Sequence, residues 1–236
     1  MDDKPLSILA LGAHAADQEL SAGMILAKYA QAGHEVTILS LTAGEKGHPT
    51  LSAADYRDQK IREAEACAKI LGVQTRVLGY RDAEIPVDEA IVFEVCDVIR
   101  ELKPDILITH WERSIHKDHS NTHRIALDAR FYAGLKRIER DLPSHWVNHV
   151  YYSENWEDME GYEPDMYVDT TATFDTYCEA LSQFGLWNGA TGWPYADYYK
   201  SLARMRACLG FAKRAQYAAT LARPKDAKVI QTTTLP

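Results

Sequence analysis

The sequence predicts an α/β fold in which a doubly wound, Rossmann-like and mostly parallel sheet carries helices on both faces. From residue 6 to about residue 135, short apolar runs rich in β-forming residues alternate with longer segments whose apolar residues recur about every 3.6 positions, as in βαβ units. The composition, with 46% apolar and 25% charged residues, is that of an ordinary globular protein. A chain of 236 residues suffices for one substantial domain, so we expect a single domain over residues 1–236, divided into a core half at 1–136 and a C-terminal half at 137–236.

The first half holds four predicted strand and helix pairs. The strands are expected at 6–13, 35–42, 75–80 and 104–109, and the helices at 17–32, 54–71, 87–102 and 120–136. Gly33 and Gly72 stand where a glycine commonly ends a helix. In the second half the pattern is looser. It predicts strands at 147–153 and 165–169, an acidic loop between them, helical segments at 173–185 and 195–220, and a loop rich in glycine and aromatic residues at 185–195.

Charge and hydropathy exclude several classes of partner. The net charge is -8 and the chain has no basic run, so we expect neither a nucleic acid nor an anionic membrane as partner. No apolar stretch approaches the roughly 18 to 20 residues of a membrane span. The acidic start of the chain runs straight into a strand, unlike a signal peptide, and this favours a cytoplasmic location. The oligomeric state stays open, and a homo-oligomer is compatible with the sequence.

The cysteines are widely spaced and form no Cys-x-x-Cys pair. This spacing favours buried free thiols over disulfides or metal ligands. The four residues are Cys67, Cys96, Cys178 and Cys208.

Two short clusters each follow a predicted strand. The first runs from His14 through Asp17 to Glu19, and the second contains His116, Asp118 and His119. Because the carboxyl ends of parallel strands meet at one edge of a sheet, we expect both clusters to converge there. Catalytic zinc takes three protein ligands and leaves a fourth position for water, and His14, Asp17 and His119 supply such a set. Water bound there has a pKa near about 7, so it provides hydroxide for attack on an amide or ester carbonyl.

The segment 110–123 contains four histidines, beside acidic residues. His116 is suited to stabilise an oxyanion or to protonate a leaving amine, with Asp118 holding its tautomer. His110 and His123 remain ambiguous between a supporting role around a metal site and an ordinary solvated position. In the loop 185–195, the side chains of Trp187, Trp193 and Tyr195 offer either a stacking wall for a flat ligand or anchors to the core.

The motifs resemble those of the LmbE-like, or PIG-L, family of zinc-dependent de-N-acetylases. That family has Ala-His-Pro-Asp-Asp followed closely by Glu, and then His-x-x-His; here they stand as Ala13-His14-Ala15-Ala16-Asp17-Gln18-Glu19 and His116-Lys117-Asp118-His119. Supporting similarities are Leu41-Thr-Ala-Gly-Glu45-Lys-Gly47, Arg62-Glu-Ala-Glu65 and Tyr80-Arg-Asp82. The resemblance covers residues 5–135 well and the last hundred residues weakly, and it implies the LmbE-like version of the predicted fold.

Carried over by position, the resemblance implies that His14, Asp17 and His119 bind zinc or another divalent metal. It also implies that His116 stabilises the transition state. The family's general base falls at Ala16, and such a base contributes roughly 10²- to 10⁴-fold. Its loss leaves a weak enzyme, an inactive one, or one with a relocated base, and for a relocated base Glu45 ranks ahead of Asp118 and Glu19. Arg62, Asp82 and Trp111 are the expected substrate-binding residues.

The predicted function is a metal-dependent hydrolase that removes an acyl group from an N-acylated amino sugar or a related conjugate. The alternative is a weak or inactive member that binds metal and a sugar conjugate, because Ala16 replaces the base. A nucleotide-binding or transferase domain is disfavoured, since the turn after the first strand lacks the second and third glycines of Gly-x-Gly-x-x-Gly.

Overall fold

A seven-stranded sheet runs through the computed structural model, which describes residues 4–225. The strands are β1 (Ser7–His14), β2 (Glu35–Thr42), β3 (Gln74–Val77), β4 (Ile106–Thr109), β5 (His149–Ser153), β6 (Met166–Asp169) and β7 (Ala218–Ala222). Their order is β3-β2-β1-β4-β5-β7-β6. The first five are parallel, whereas β7 is antiparallel to both β5 and β6. The doubly wound, mostly parallel sheet is thereby confirmed, and the strand order reverses between β1 and β4, where ligands commonly bind.

Helices cover both faces of the sheet. They are α1 (Asp17–Ser21), α2 (Gly23–Gln31), α3 (Ala53–Leu71), α4 (Glu89–Leu102), α5 (Lys117–Gly134), α6 (Phe174–Leu181) and α7 (Tyr195–Phe211). The side chains of Ser52 and Asp88 cap α3 and α4 by accepting hydrogen bonds from backbone N–H groups. Gly72 ends α3 with a φ of 76°, a left-handed conformation that favours glycine.

The central strand β1 separates two apolar cores. Ile8 and Ala10 face the core under α2, α3 and α6, while Leu9 and Leu11 face the core under α4 and α5. Every residue from Ile8 to His14 is buried, as expected for a strand covered on both faces. This rigid strand carries His14 to the carboxyl edge of the sheet, where the second cluster also arrives.

Three predicted helices differ from the structure. The helix expected at 17–32 divides at Ala22 into α1 and α2, and the helix expected at 173–185 ends at Leu181. The largest error is the helix expected at 195–220, which stops at Phe211 because the following chain turns back to form β7. Three of the five residues of β7 are alanine and all five are buried, so their spacing is compatible with a helix, whereas pairing with β5 and β6 makes them a strand.

The cysteines are free thiols, as predicted, in the described part of the chain. Cys67 and Cys96 are buried, but the prediction of burial is wrong for Cys208, which is exposed on α7, and Cys178 is half-buried. Among the helices of residues 4–225, none combines the length and the hydropathy of a membrane span. The ends of the expected 1–236 domain, residues 1–3 and 226–236, lie outside the described residues.

Candidate active site

Three side chains converge at the carboxyl edge of the sheet. His14 is the last residue of β1, Asp17 the first of α1, and His119 lies in the first turn of α5. His14 Nδ1 lies 3.2 Å from Asp17 Oδ2 and 3.2 Å from His119 Nε2, and Asp17 Oδ2 lies 3.4 Å from His119 Nε2. Ligand atoms placed about 2.0–2.1 Å from a tetrahedral zinc ion are separated by about 3.3–3.4 Å. This ligand triangle, His14, Asp17 and His119, therefore has the dimensions of one face of a zinc tetrahedron.

The ligand triangle is shaped by a tight turn between β1 and α1. His14 N donates to Asp17 Oδ2 at 2.7 Å, and Ala15 N donates to Thr42 O at 3.0 Å. Ala16 has a φ of 91°, which is unfavourable for any residue with a Cβ atom. On the neighbouring strand's loop, Gly44 has a φ of 75° and approaches His14 so closely that an added Cβ would lie 3.1 Å from its Cβ. The backbone therefore fixes where the imidazole of His14 lies.

A buried carboxylate orients His119 of the ligand triangle. Asp158 Oδ1 lies 2.8 Å from His119 Nδ1, and Asp158 Oδ2 lies 2.8 Å from His110 Nδ1. Burial alone would raise the pKa of Asp158, but His110 and His119 hold it well below its usual range. Burial, followed by the charge on His110, lowers the pKa of His119 to about 4. Because the Asp158 carboxylate accepts from Nδ1, a neutral His119 ring carries its proton there and presents an unprotonated Nε2, which is the form that binds a metal.

His14 is oriented by two further carboxylates. Its Nε2 lies 3.1 Å from Asp82 Oδ1 and 3.5 Å from Asp118 Oδ2. Burial opposes protonation, but Asp17, Asp118 and Asp82 together raise the pKa of His14 well above its ordinary value. The site thus attracts positive charge. The structure places Asp82, expected to bind substrate, and Asp118, expected to act in catalysis, as partners of a ligand-triangle histidine.

His116 caps the N-terminus of α5, where its Nδ1 accepts a hydrogen bond from Asp118 N at 3.2 Å. Its ring lies edge-on to the ring of His14, with 4.6 Å between centroids, and lines the cavity in front of the ligand triangle. The capping bond occupies Nδ1 as an acceptor, so the ring's proton is on Nε2 when the ring is neutral. His116 is therefore placed as a hydrogen-bond donor at the cavity.

Glu157, which the sequence motifs do not indicate as a site residue, lies in the loop after β5. Its Oε2 lies 3.2 Å from His119 Nε2, and the side chain lines the cavity. Its backbone is held on both sides, since Glu157 N donates to Asn155 Oδ1 at 3.1 Å and Ile115 N donates to Glu157 O at 3.1 Å. Burial, and then the charge of Asp17, raises the pKa of Glu157 to about 7. A signal was present in the sequence, because this acidic loop follows a strand that ends at the same edge.

The expected replacements for a base at Ala16 are otherwise engaged. Glu45 is buried behind the cavity wall, where its Oε1 accepts a hydrogen bond from Asp82 N at 3.0 Å. Glu19 is fully buried and its Oε2 accepts a hydrogen bond from Ala16 N at 3.1 Å. Neither side chain lines the cavity. Both carboxylates support the backbone around the site.

The cavity has a volume of about 130 Å³. Besides His14 and Asp17 its wall includes Tyr56, Lys60, Trp156, Leu186 and Tyr195. Of the aromatic residues expected as a wall, Tyr195 lines the cavity. Trp193 does not line it, but stacks on the lining residue Trp156 with 4.4 Å between ring centroids. Trp187 instead lies in the core against Tyr177.

Two expected substrate-binding residues do not reach the cavity. Arg62 is exposed on α3. Trp111 is buried in the core under α4 and α5, where its Nε1 donates to Glu160 O at 2.9 Å. The sequence around a residue does not say which way its side chain points. The ambiguous His110 supports Asp158, as described above, and His123 Nδ1 lies 2.9 Å from His110 O. Both act around the site and not in the cavity wall.

Comparison with known proteins gives three findings. Residues 9–130 match the family model described as PIG-L: GlcNAc-PI de-N-acetylase. A 4-oxalmesaconate hydratase of Pseudomonas putida is 26% identical over 221 residues, which cover 87% of this chain and 81% of that relative. A 1D-myo-inositol 2-acetamido-2-deoxy-alpha-D-glucopyranoside deacetylase of Geodermatophilus obscurus is 32% identical over 177 residues, 61% of this chain, and the chain spans only 60% of its length.

Solved structures share the fold. The 4-carboxy-2-hydroxymuconate hydratase of Pseudomonas putida superposes with a TM-score of 0.85 at 23% identity, covering 97% of this chain and 100% of that one. The N,N'-diacetylchitobiose deacetylase of Pyrococcus horikoshii superposes with a TM-score of 0.76 at 20% identity, covering 91% of this chain and 82% of that one. At these identities the likeness establishes the fold alone.

Proposed function

Because the chain belongs to the PIG-L family of GlcNAc-PI de-N-acetylases, we propose that it is a metal-dependent hydrolase that removes an acyl group from the nitrogen of a small N-acylated sugar or related conjugate. The observation that carries this proposal is the ligand triangle, whose three sides of 3.2 to 3.4 Å fit a tetrahedral divalent metal ion. Such an ion, zinc or another divalent metal, would polarise the substrate carbonyl and lower the pKa of water in the fourth position.

The protein's own groups would handle the protons. Glu157 lies next to the ligand triangle at the cavity, so its carboxylate is placed to accept a proton from the attacking water. His116, which also lines the cavity, is placed to donate a hydrogen bond from Nε2 to the oxygen that gains charge, and the proton that Glu157 takes from water would pass to the leaving nitrogen. Trp156, Tyr195 and Leu186 would cover the substrate and restrict the entry of other water.

The test is acyl release by metal-loaded protein from a panel of N-acetylated sugars and conjugates, followed as free amine and as acetate. We expect turnover in the wild type and none in His119→Ala, which lacks one corner of the ligand triangle. No acyl product across a broad panel would end the hydrolase proposal. A protein that binds an N-acyl sugar without releasing product, and gains turnover in Ala16→Asp, would instead be the weak or inactive member that lacks only its base.

A second candidate function is addition of water to a carbon–carbon double bond of a small unsaturated acid. Ala16 favours it, because the position of the hydrolytic base carries a methyl group. The hydratase relative also matches 87% of this chain, against 61% for the deacetylase. Both reactions need activated water, so the same ligand triangle serves either. Loss of the ultraviolet absorbance of conjugated unsaturated dicarboxylates on mixing with metal-loaded protein would support hydration, and unchanged absorbance would oppose it.

A further inference from the structure

Lys60 places an ammonium group deep in the wall of the cavity. It lies in the middle of α3 and is 3% exposed. Its Nζ donates a hydrogen bond to Ala15 O and lies 5.0 Å from the centre of the Phe184 ring. Ala15 directly follows His14, so the ammonium group lines the same small space as His14 and Asp17, two corners of the ligand triangle.

This buried charge is poorly matched by the protein. Within residues 4–225, no carboxylate lies at ion-pair distance from Lys60 Nζ, and Ala15 O is the one hydrogen-bond acceptor that contacts it. An ammonium group has three N–H donors, and burying a charge without partners is costly. Burial lowers the pKa of Lys60, while Asp17 and Glu19 act in the opposite direction from farther away. An anion in the cavity would supply the missing partner.

The cavity wall is otherwise acidic. Asp17, Asp82 and Glu157 line it, and Lys60 is the only lysine or arginine among its described lining residues. A ligand that carries two or more negative charges at one point, such as a phosphate, would meet these carboxylates. A carboxylate carries one charge and matches the one ammonium group. Neutral sugars would leave the N–H donors of Lys60 to hydroxyl groups or water.

We propose that Lys60 binds a carboxylate of the substrate, so that the compound acted on is a small acid whose reacting group lies a few bonds from that carboxylate. The inference rests on the proposed function, because it takes the reacting group to lie at the ligand triangle. The size of the cavity agrees: about 130 Å³ is close to the roughly 150 Å³ that accommodates a benzene molecule in an engineered protein cavity. A group of about six non-hydrogen atoms fills it, and the rest of a larger substrate would extend outside.

The test compares two nearly isosteric compounds, N-acetylglycine and its neutral analogue N-acetylglycinamide, in binding to metal-loaded protein. Calorimetry gives the affinities, and ligand-observed NMR reports both binding and any hydrolysis. We expect N-acetylglycine to bind at least tenfold more tightly, as is typical of a hydrogen bond to a charged group. Equal affinities, or no binding of either compound at millimolar concentration, would overturn the proposal. The wild-type measurement is sufficient for this result, without any variant.

A pair of variants separates Lys60 from the metal as the source of the preference. Lys60→Met should abolish the preference for the acid while the metal content stays the same, and Lys69→Met, on the exposed side of the same helix, should retain it. A preference that survives in folded Lys60→Met would assign it to the metal and overturn the proposal. Failure of the hydrolase proposal gives a different result. If the protein prefers N-acetylglycine to N-acetylglycinamide but releases no acyl group, the hydrolase proposal fails and the Lys60 inference stands.

Discussion

Replacing Asp158 by asparagine should weaken metal binding although Asp158 is not part of the ligand triangle. Its two carboxylate oxygens accept hydrogen bonds from the Nδ1 atoms of His119 and His110, each at 2.8 Å. An asparagine has one carbonyl oxygen, so its NH₂ group must face one of the two rings. A ring that faces NH₂ accepts through Nδ1 and carries its proton on Nε2, and for His119 that is the metal-facing atom.

The expected loss is 10- to 100-fold in metal affinity, or about 1.4–2.8 kcal/mol. Competition for zinc against a fluorescent chelator measures it. The matched control is Glu160→Gln, two residues further along the same loop, where an exposed carboxylate pairs with Arg113 at 2.9 Å. The control should bind zinc like the wild type. An affinity of Asp158→Asn within twofold of the wild type would refute the argument that this carboxylate sets the tautomer of His119.

Three further predictions concern single side chains. Glu157→Gln should keep its metal and lose roughly 10²- to 10⁴-fold in turnover, measured beside Glu160→Gln, and full activity would remove Glu157 as the proton acceptor. Ala16→Gly should raise the free energy of unfolding of the metal-free protein by about 0.5–1 kcal/mol, because glycine relieves the cost of a φ of 91° but loses chain entropy. A clearly lower free energy of unfolding, measured by urea denaturation, would contradict this. Gly44→Ala should lower the free energy of unfolding by about 1–2 kcal/mol and should also lower zinc affinity. The added Cβ would lie 3.1 Å from the Cβ of His14, in a left-handed backbone conformation. Wild-type values of both quantities would show that the loop adjusts without cost.

The parts of the molecule that could be predicted from sequence are those set by local spacing. Alternation of apolar runs with helical periods gives the parallel half of the sheet, and a strand followed by His14-x-x-Asp17 places both side chains at one edge. His119 follows from the same rule applied to β4. The ligand triangle could therefore be anticipated as a set of residues, although its dimensions could not.

The parts that could not be predicted depend on contacts between distant segments. Lys60 points inward from the middle of a helix, and its spacing alone does not distinguish a cavity-facing lysine from one on a solvated face. Asp158 matters only because its loop folds over His119, 39 residues earlier in the chain. The sequence predicts a helix where β7 lies because an alanine-rich segment fits either period, and pairing with the edge of β5 makes it a strand.

The central claim is that the ligand triangle holds one divalent metal ion. The most direct measurement is the metal content per chain after zinc reconstitution and dialysis, made on the wild type and on His119→Ala, with His149→Ala, an exposed histidine on β5, as control. We predict one equivalent in the wild type and in the control, and close to none in His119→Ala. A wild type that retains no metal, or a His119→Ala protein that retains a full equivalent, would contradict the account.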